Sequence, residues 1–156
     1  MGKKGRLIVA VTFAVPLAYF AWEWYLSPQA RVTRTLKAAA AAAEETDLDT
    51  FLSFVSSSYS DFVHPDRETL EDRVRSSFDE VDRFNVTLSN IKVQHSEEEA
   101  TAELDVVIVA VRGEERYVVL GSPFDPERLA ARLVKEDGWK IAGVERPEAS
   151  ALDPER

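Results

Sequence analysis

The N-terminal stretch constrains this chain most, because it holds an apolar run long enough to form a membrane helix. The run extends from Leu7 to Leu26, which is 20 residues and would measure about 30 Å as an α-helix, the thickness of a hydrocarbon core. Pro16 is tolerable inside such a helix, and Glu23 lies near one end, where its carboxylate can reach the headgroups. The run therefore predicts a transmembrane anchor over residues 7–26.

Aromatic residues and positive charges give the predicted anchor a direction. Tyr19, Trp22, Trp24 and Tyr25 cluster at its C-terminal end, and rings with polar tips suit the membrane interface. Residues 1–6 carry three Lys and Arg side chains, and the positive-inside rule keeps such a segment in the cytoplasm. We expect a cytoplasmic tail at 1–6, an anchor held by membrane lipid, and an extracytoplasmic remainder, periplasmic if the host is bacterial.

A cleaved signal peptide is the competing interpretation of the same run. Signal cleavage requires small residues after the apolar segment, but the chain is bulky from Tyr19 to Tyr25, and Pro28–Ala30 is a poor substitute. We therefore favour a signal-anchor that is not removed, and the cleaved alternative stays open.

Charge and cysteine content exclude several classes of function. Three of the 19 Lys and Arg residues and one of the 28 Asp and Glu residues precede Ser27, so the remainder has a formal charge of −11. Such a surface repels phosphate backbones, which argues against nucleic-acid binding. The chain has no cysteine, which excludes disulfides, thiolate metal sites and cysteine nucleophiles.

Three helices are predicted after the anchor. The first extends from Arg31 to Glu45 around the alanine run at 38–43, since alanine loses little on entering a helix. Asp47 and Asp66 are suitable N-caps for the second and third helices. One face of the second helix would carry Leu48, Phe51, Leu52, Val55 and Tyr59.

After Phe84 the hydrophobic period changes to two, which predicts strands. We expect a bulge near Ser89 and Asn90, where the alternation changes phase. The segment 127–136 is ambiguous, because its local apolar spacing favours a helix although a hairpin strand would also suit it. The other predicted strands cover 85–95, 100–111, 116–120 and 139–145.

This order of elements resembles the NTF2-like fold, also called SnoaL-like or cystatin-like, in which a curved antiparallel sheet and helices form a cone. The resemblance covers about Arg31 to Pro147 and rests on a helix ending in Tyr-Ser-Asp, the third helix, and a last strand that opens with Gly-Trp-Lys-Ile. It implies an α+β domain over 31–147, behind the transmembrane helix, with 127–136 as a strand. We expect 148–156 to be a disordered C-terminal tail.

The interior of such a cone decides whether it can be an enzyme. An isomerase or cyclase on this fold needs an acid or base inside it, but residues 102–110 of the long strand present only apolar side chains to the helices. Glu103 and Asp105 fall on the other face, where we expect them to be solvated. We therefore predict no catalytic residue and no cofactor. We also predict no metal site, since the spacing of His64, Asp61 and Asp66 matches no ligand pattern.

Two sets of residues are candidates for binding. Tyr59, His64 and Trp139 could bind a ligand near the mouth of the cone. The outer face of the long strand continues as three valines, which either a neighbouring strand or a protein partner should cover. Family members often look like dimers joined sheet to sheet, which favours a partner. The predicted interface residues are Val107, Val109 and Val111.

The leading hypothesis is a single-pass membrane protein whose external NTF2-like domain acts by self-association, as a homodimer, or within a membrane complex. The layout is similar to that of inner-membrane assembly proteins of type IV secretion systems. The alternative is a small-molecule-binding or SnoaL/ketosteroid-isomerase-like enzymatic domain. A cone filled by Phe51, Phe78, Leu104 and Ile141 would favour the first hypothesis, and a cavity with converging polar groups the second.

Overall fold

The computed structural model describes residues 16–147 of the 156-residue chain. The predicted tail at 1–6, residues 7–15 of the predicted anchor and the predicted tail at 148–156 lie outside these residues. The helices and strands, in chain order, are α1 Pro28–Glu44, α2 Leu48–Ser53, α3 Arg67–Glu80, β1 Arg83–His95, β2 Glu99–Arg112, β3 Glu115–Leu120, β4 Glu127–Glu136 and β5 Gly138–Glu145.

Residues 16–26, the described part of the predicted anchor, are helical and present their apolar side chains to the outside. Five large side chains on this helix are 63–74% exposed: Leu17, Tyr19, Phe20, Trp22 and Trp24. Among residues 16–147, no helix combines the length and the apolar character needed to cross a membrane.

A bend at Ser27 separates this helix from α1. The Ser27 hydroxyl accepts a hydrogen bond from the Ala30 backbone N–H at 3.2 Å and so caps α1. Arg34 links the two helices, because its Nη2 donates to the Tyr25 carbonyl oxygen at 2.8 Å and its Cζ lies 3.8 Å from the centroid of the Tyr25 ring. With this cap, α1 begins at Pro28, earlier than the predicted Arg31.

The five strands within residues 16–147 form one antiparallel sheet in which β2 is central. The order is β1-β2-β4-β5, and β3 pairs with the end of β2 that extends beyond β4. The predicted bulge in β1 is confirmed, because the register shifts between Ser89 and Lys92 and Asn90 has a φ of 51°. The extra residue keeps the apolar side chains on both sides of the bulge facing the same core.

Alternation along β2 sorts its side chains onto two faces, as predicted. The inner-face residues pack in one core with α1, where Val32, Ala102 and Leu133 are fully buried. The outer face is not solvated throughout, however, because Asp105 is only 7% exposed. The expectation of a solvated Asp105 is therefore wrong, because its carboxylate accepts hydrogen bonds from Asn90 and Arg128.

The segment Glu127–Glu136 is a strand, as the resemblance implies and against its local pattern. It pairs with β2 along one edge and with β5 along the other. Leu129 and Leu133 face the core, while Ala130 lies opposite Glu103 of the outer face. Pairing on both edges outweighs the local helical preference, because strand propensity depends strongly on tertiary context.

The second helix is shorter than predicted. Helix α2 ends at Ser53, and the chain that follows runs along the free edge of β5 instead of continuing the helix. Backbone hydrogen bonds join Ile141 N–H to the Phe54 carbonyl at 2.7 Å and Ser56 N–H to the Ile141 carbonyl at 2.8 Å. The edge of a sheet offers unpaired N–H and C=O groups, so residues 54–56 gain strand pairing there and stop being helical.

Helix α3 closes one end of the space between α1 and the sheet. It begins at the predicted cap, where Asp66 Oδ1 accepts from Thr69 N–H at 2.8 Å. The Phe78 ring centroid lies 6.0 Å from that of Phe51 on α2 and 5.8 Å from that of Phe84 on β1. These contacts hold α3 across α2 and the start of β1.

A close approach at Gly143 gives a test of this edge packing. A Cβ at Gly143 would lie 2.7 Å from the Ser60 carbonyl oxygen and 3.2 Å from Arg132 Nη2. We expect Gly143→Ala to lower the free energy of unfolding by about 2 kcal/mol, since overpacking forces backbone shifts. Urea unfolding measures the change, with Thr101→Ala at an exposed strand position as the control, and an unchanged midpoint for Gly143→Ala would contradict the packing described.

Candidate functional site

The structure brings two of the three predicted ligand-binding residues together. Tyr59 and His64 meet at the carboxylate of Asp61, in the loop between α2 and α3. Asp66, which the sequence places nearby, caps α3 and takes no part in this cluster. Trp139 lies elsewhere, as described below.

Asp61 is the centre of this cluster. Its Oδ1 accepts from the backbone N–H groups of Val63 at 2.7 Å and His64 at 2.6 Å, and its Oδ2 accepts from the Tyr59 hydroxyl. His64 Nδ1 lies 3.0 Å from Asp61 Oδ2. Since a carboxylate only accepts, Nδ1 carries the proton in this contact. Every one of these bonds joins neighbours in the loop, so the cluster fixes the loop's shape.

Burial and hydrogen bonding act in opposite directions on this carboxylate. Burial would raise the pKa of Asp61, but the hydrogen bonds from Tyr59, His64 and Val63 outweigh it and hold that pKa below its ordinary value. Burial and the Asp61 carboxylate together raise the pKa of the Tyr59 phenol. Tyr59 therefore stays a protonated donor, and Asp61 stays an ionised acceptor, at neutral pH.

An apolar cavity of about 280 Å³ lies between α1, the sheet, α2 and α3. Tyr59 contributes the one polar atom among its lining side chains, and that hydroxyl is already bonded to Asp61. The lining includes Ala40, Ala43, Val86, Leu104, Leu129 and Ile141.

The cone is neither filled by the four predicted side chains nor lined by converging polar groups, so it matches neither of the two expectations from the sequence. Phe51, Leu104 and Ile141 line it without filling it, and Phe78 packs on Phe84 instead. Its lining also brings no converging polar groups together. Among residues 16–147, no three His, Asp or Glu side chains are grouped in a way that could hold a metal ion. The interior of the cone can therefore bury hydrocarbon through apolar contacts.

Trp139 is a core residue at the other end of the molecule. It is 7% exposed and packs in the same core as Val32 and Leu36 of α1. Its remaining edge lines a surface groove of about 760 Å³ with Arg31 and His95, at the N-terminal end of α1. The structure therefore does not join Trp139 to the Tyr59–His64 cluster.

The predicted valine interface is partly covered within the chain. Val107 and Val111 are 9% and 7% exposed, and Val109 is partly buried. Neighbouring strands supply the cover, since β1 and β3 flank this part of β2. Val118 of β3, which pairs with Val109, is 63% exposed and extends the apolar surface onto the next strand.

The Asp105 carboxylate on the same face is buried, which was not predicted from the sequence. Asp105 Oδ2 accepts from Asn90 Nδ2 at 2.7 Å, and Oδ1 accepts from Arg128 Nε at 3.0 Å. These bonds, the one from Arg128 foremost, hold the pKa of Asp105 below its ordinary value. The contact could be found only by treating 127–136 as a strand, because the pairing of β2 with β4 places Arg128 opposite Asp105.

No family model matches this chain, and no curated protein matches it. Solved structures with the same arrangement of helices and sheet do. A candidate scytalone dehydratase from Novosphingobium aromaticivorans matches with a TM-score of 0.63 and 17% identity over 73% of this chain and 78% of its own. An NTF2-like superfamily protein from Salmonella enterica matches with 0.62 and 13% over 75% and 87%.

The chain has the NTF2-like fold. A further structural match is Bd1075 of Bdellovibrio bacteriovorus, with a TM-score of 0.60 and 12% identity, over 73% of this chain and 38% of Bd1075. The three helices and the curved sheet are therefore the NTF2-like cone that the sequence pattern indicates. Identities this low show the fold alone.

The Asp61 cluster of this NTF2-like domain predicts how stability depends on pH. The folded-state pKa of Asp61 is depressed, so its contribution is present above the unfolded value of about 3.9 and is lost as pH falls through the folded value. We expect Asp61→Asn to be less stable than wild type by about 2 kcal/mol at pH 7. The gap should narrow below about pH 4.

Urea unfolding between pH 3 and pH 8 measures this gap. The control is Asp79→Asn, at an exposed carboxylate on α3, which should leave the stability profile unchanged. A gap between wild type and Asp61→Asn that is constant across the pH range would contradict the role given to the Asp61 hydrogen bonds.

Proposed function

We propose that this chain is a membrane-tethered NTF2-like protein whose domain acts outside the cytoplasm by binding, through self-association or within a membrane complex. The observation that carries the proposal is the exposed apolar helix at 16–26, which continues the apolar run at 7–15. Exposed apolar surface of this extent marks a membrane or protein contact. The aromatic residues at its end favour the membrane, because they suit the headgroup region.

Charge supports the proposed orientation. The three positive side chains at 1–6 favour a cytoplasmic N-terminus. The domain that follows is strongly acidic and has no cysteine, so outside the cytoplasm it would depend on its hydrophobic core for stability.

Flotation with phosphatidylcholine vesicles tests the tether. We expect the full chain to float with the vesicles and a variant lacking residues 1–26 to stay at the bottom of the gradient. The two cores of the domain contain no residue from 16–26, so the truncated variant should keep its fold, which circular dichroism checks. Full-length protein that fails to float would overturn the tether.

The outer face of the sheet is the proposed self-association surface. The partly buried Val109 and the exposed Val118 form its accessible apolar part, and a second copy would present the same pair across a twofold axis. Val107 and Val111 flank Val109 along the same face of β2. Because the apolar area is small, we expect a contact weaker than that of an obligate dimer.

Substitution at Val109 tests this surface. We expect Val109→Arg to shift the full chain toward monomer in sedimentation velocity, in detergent at matched concentration, because it places a charge at the centre of the contact. Thr101→Arg adds the same charge on the same face of β2, about 27 Å away at 3.4 Å per residue, and should leave association unchanged. Equal sedimentation of wild type and Val109→Arg would remove the surface from the proposal.

The cavity favours one alternative, a small-molecule function for the cone. A similar fold in a candidate scytalone dehydratase supports an enzymatic version of this alternative. The apolar lining supports a carrier version more strongly, since the one lining hydroxyl, that of Tyr59, is held by Asp61. His64 would then stabilise the loop that holds Tyr59, and Trp139 would pack in the core. Neither side chain would contact the ligand.

A further inference from the structure

We propose that the cone holds a single aliphatic chain and leaves the polar end of that molecule at the surface. The inference rests on the small-molecule alternative above and names its ligand class. It comes from two features of the cavity: the chemistry of its lining, and the position at which it meets the surface.

The lining restricts the buried part of the ligand to hydrocarbon. A polar group placed inside would find no free partner, because Tyr59 is the one polar side chain in the lining and its hydroxyl is bonded to Asp61. Burying an unpaired polar group is strongly unfavourable. A cavity of about 150 Å³ with such a lining stays dry and binds benzene, and this one measures about 280 Å³.

Small side chains on α1 create the space. Ala40 and Ala43 face the cavity where longer side chains would have filled it. Ala38 on the same helix is half-buried and lines a separate groove beside Trp139. The two kinds of alanine provide test positions with matched chemistry.

The cavity adjoins the surface between α1 and β1. A shallow groove at this seam shares Ala40, Val86 and Leu88 with the cavity and is also lined by Lys37 and Ala41. Strand β1 is an edge of the sheet, and its Val86 N–H is already occupied by Glu44 Oε1 at 2.9 Å. An apolar interior that adjoins a wet seam fits a chain with one polar end better than it fits a compact ring.

Photolabelling of the full chain in phosphatidylcholine nanodiscs tests the proposal. The probe is dodecanoic acid with a diazirine at the end of its chain, and adducts are mapped by mass spectrometry. We expect adducts on the inner-face residues of β2 and β5, such as Leu104 and Ile141. Dodecanol carrying the same diazirine should label them within about twofold, because the cavity offers the head no polar partner.

Matched variants separate the cavity from the lipid around it. Ala40→Leu and Ala43→Leu should each reduce labelling of the cone by about tenfold or more, since each displaced methylene is worth about fourfold in affinity. Ala38→Leu, outside the cavity and the α1–β1 groove, should leave it unchanged. Urea unfolding confirms that the variants remain folded, and two filling positions keep the test valid if one of them fails.

Four results would overturn the proposal. Adducts confined to residues 16–26, or equal labelling of Ala40→Leu and Ala38→Leu, would show that the chain does not enter the cone. Labelling of the cone by trifluoromethylphenyl diazirine but not by the chain probes would mean a compact apolar ligand, and the small-molecule alternative would survive. No labelling by either kind of probe would contradict the small-molecule alternative as well. The tether and self-association are tested independently, by flotation and by sedimentation.

Discussion

Antiparallel pairing along β2 is the constraint on which the rest of this structure depends. β1, β3 and β4 all pair with β2, and its side chains alternate between the two faces of the sheet. The inner side chains make the core with α1 and the floor of the cavity. The outer side chains make a mixed surface in which Asp105 is buried beside valines. A shift of one residue in this register would exchange the two sets and destroy both surfaces.

The interior combines a tightly packed region with an open one. Near Trp139, α1 packs on the sheet through Val32, which is fully buried. Further along α1, Ala40 and Ala43 stand where larger side chains would fill the cavity. The alanine run therefore has two effects, since it is a good helix former and it also leaves room that larger residues would occupy.

Much of the fold could be predicted from the sequence, and the failures have physical causes. The bulge at Asn90 was predicted because the change of phase in β1 is local. The local pattern of strand β4 favours a helix, because Ala130 and its apolar neighbours have helical spacing. Pairing on both edges, which is not visible locally, makes the segment a strand. The site was harder: the sequence places Asp61 beside His64, but the burial of Asp105 depends on Arg128, which is distant in the chain and aligned only by strand register.

The junction at Ser27 has a consequence for how the domain would stand on a bilayer. Helix 16–26 passes into α1 through a single non-helical residue, and Arg34 binds Tyr25 through both its carbonyl and its ring. A tether built in this way restricts swivelling, so the cone would keep a set height and tilt above the lipid. Two such domains could then meet face to face only in a narrow range of arrangements. Confinement to one plane would thereby strengthen a contact that is weak in bulk solution.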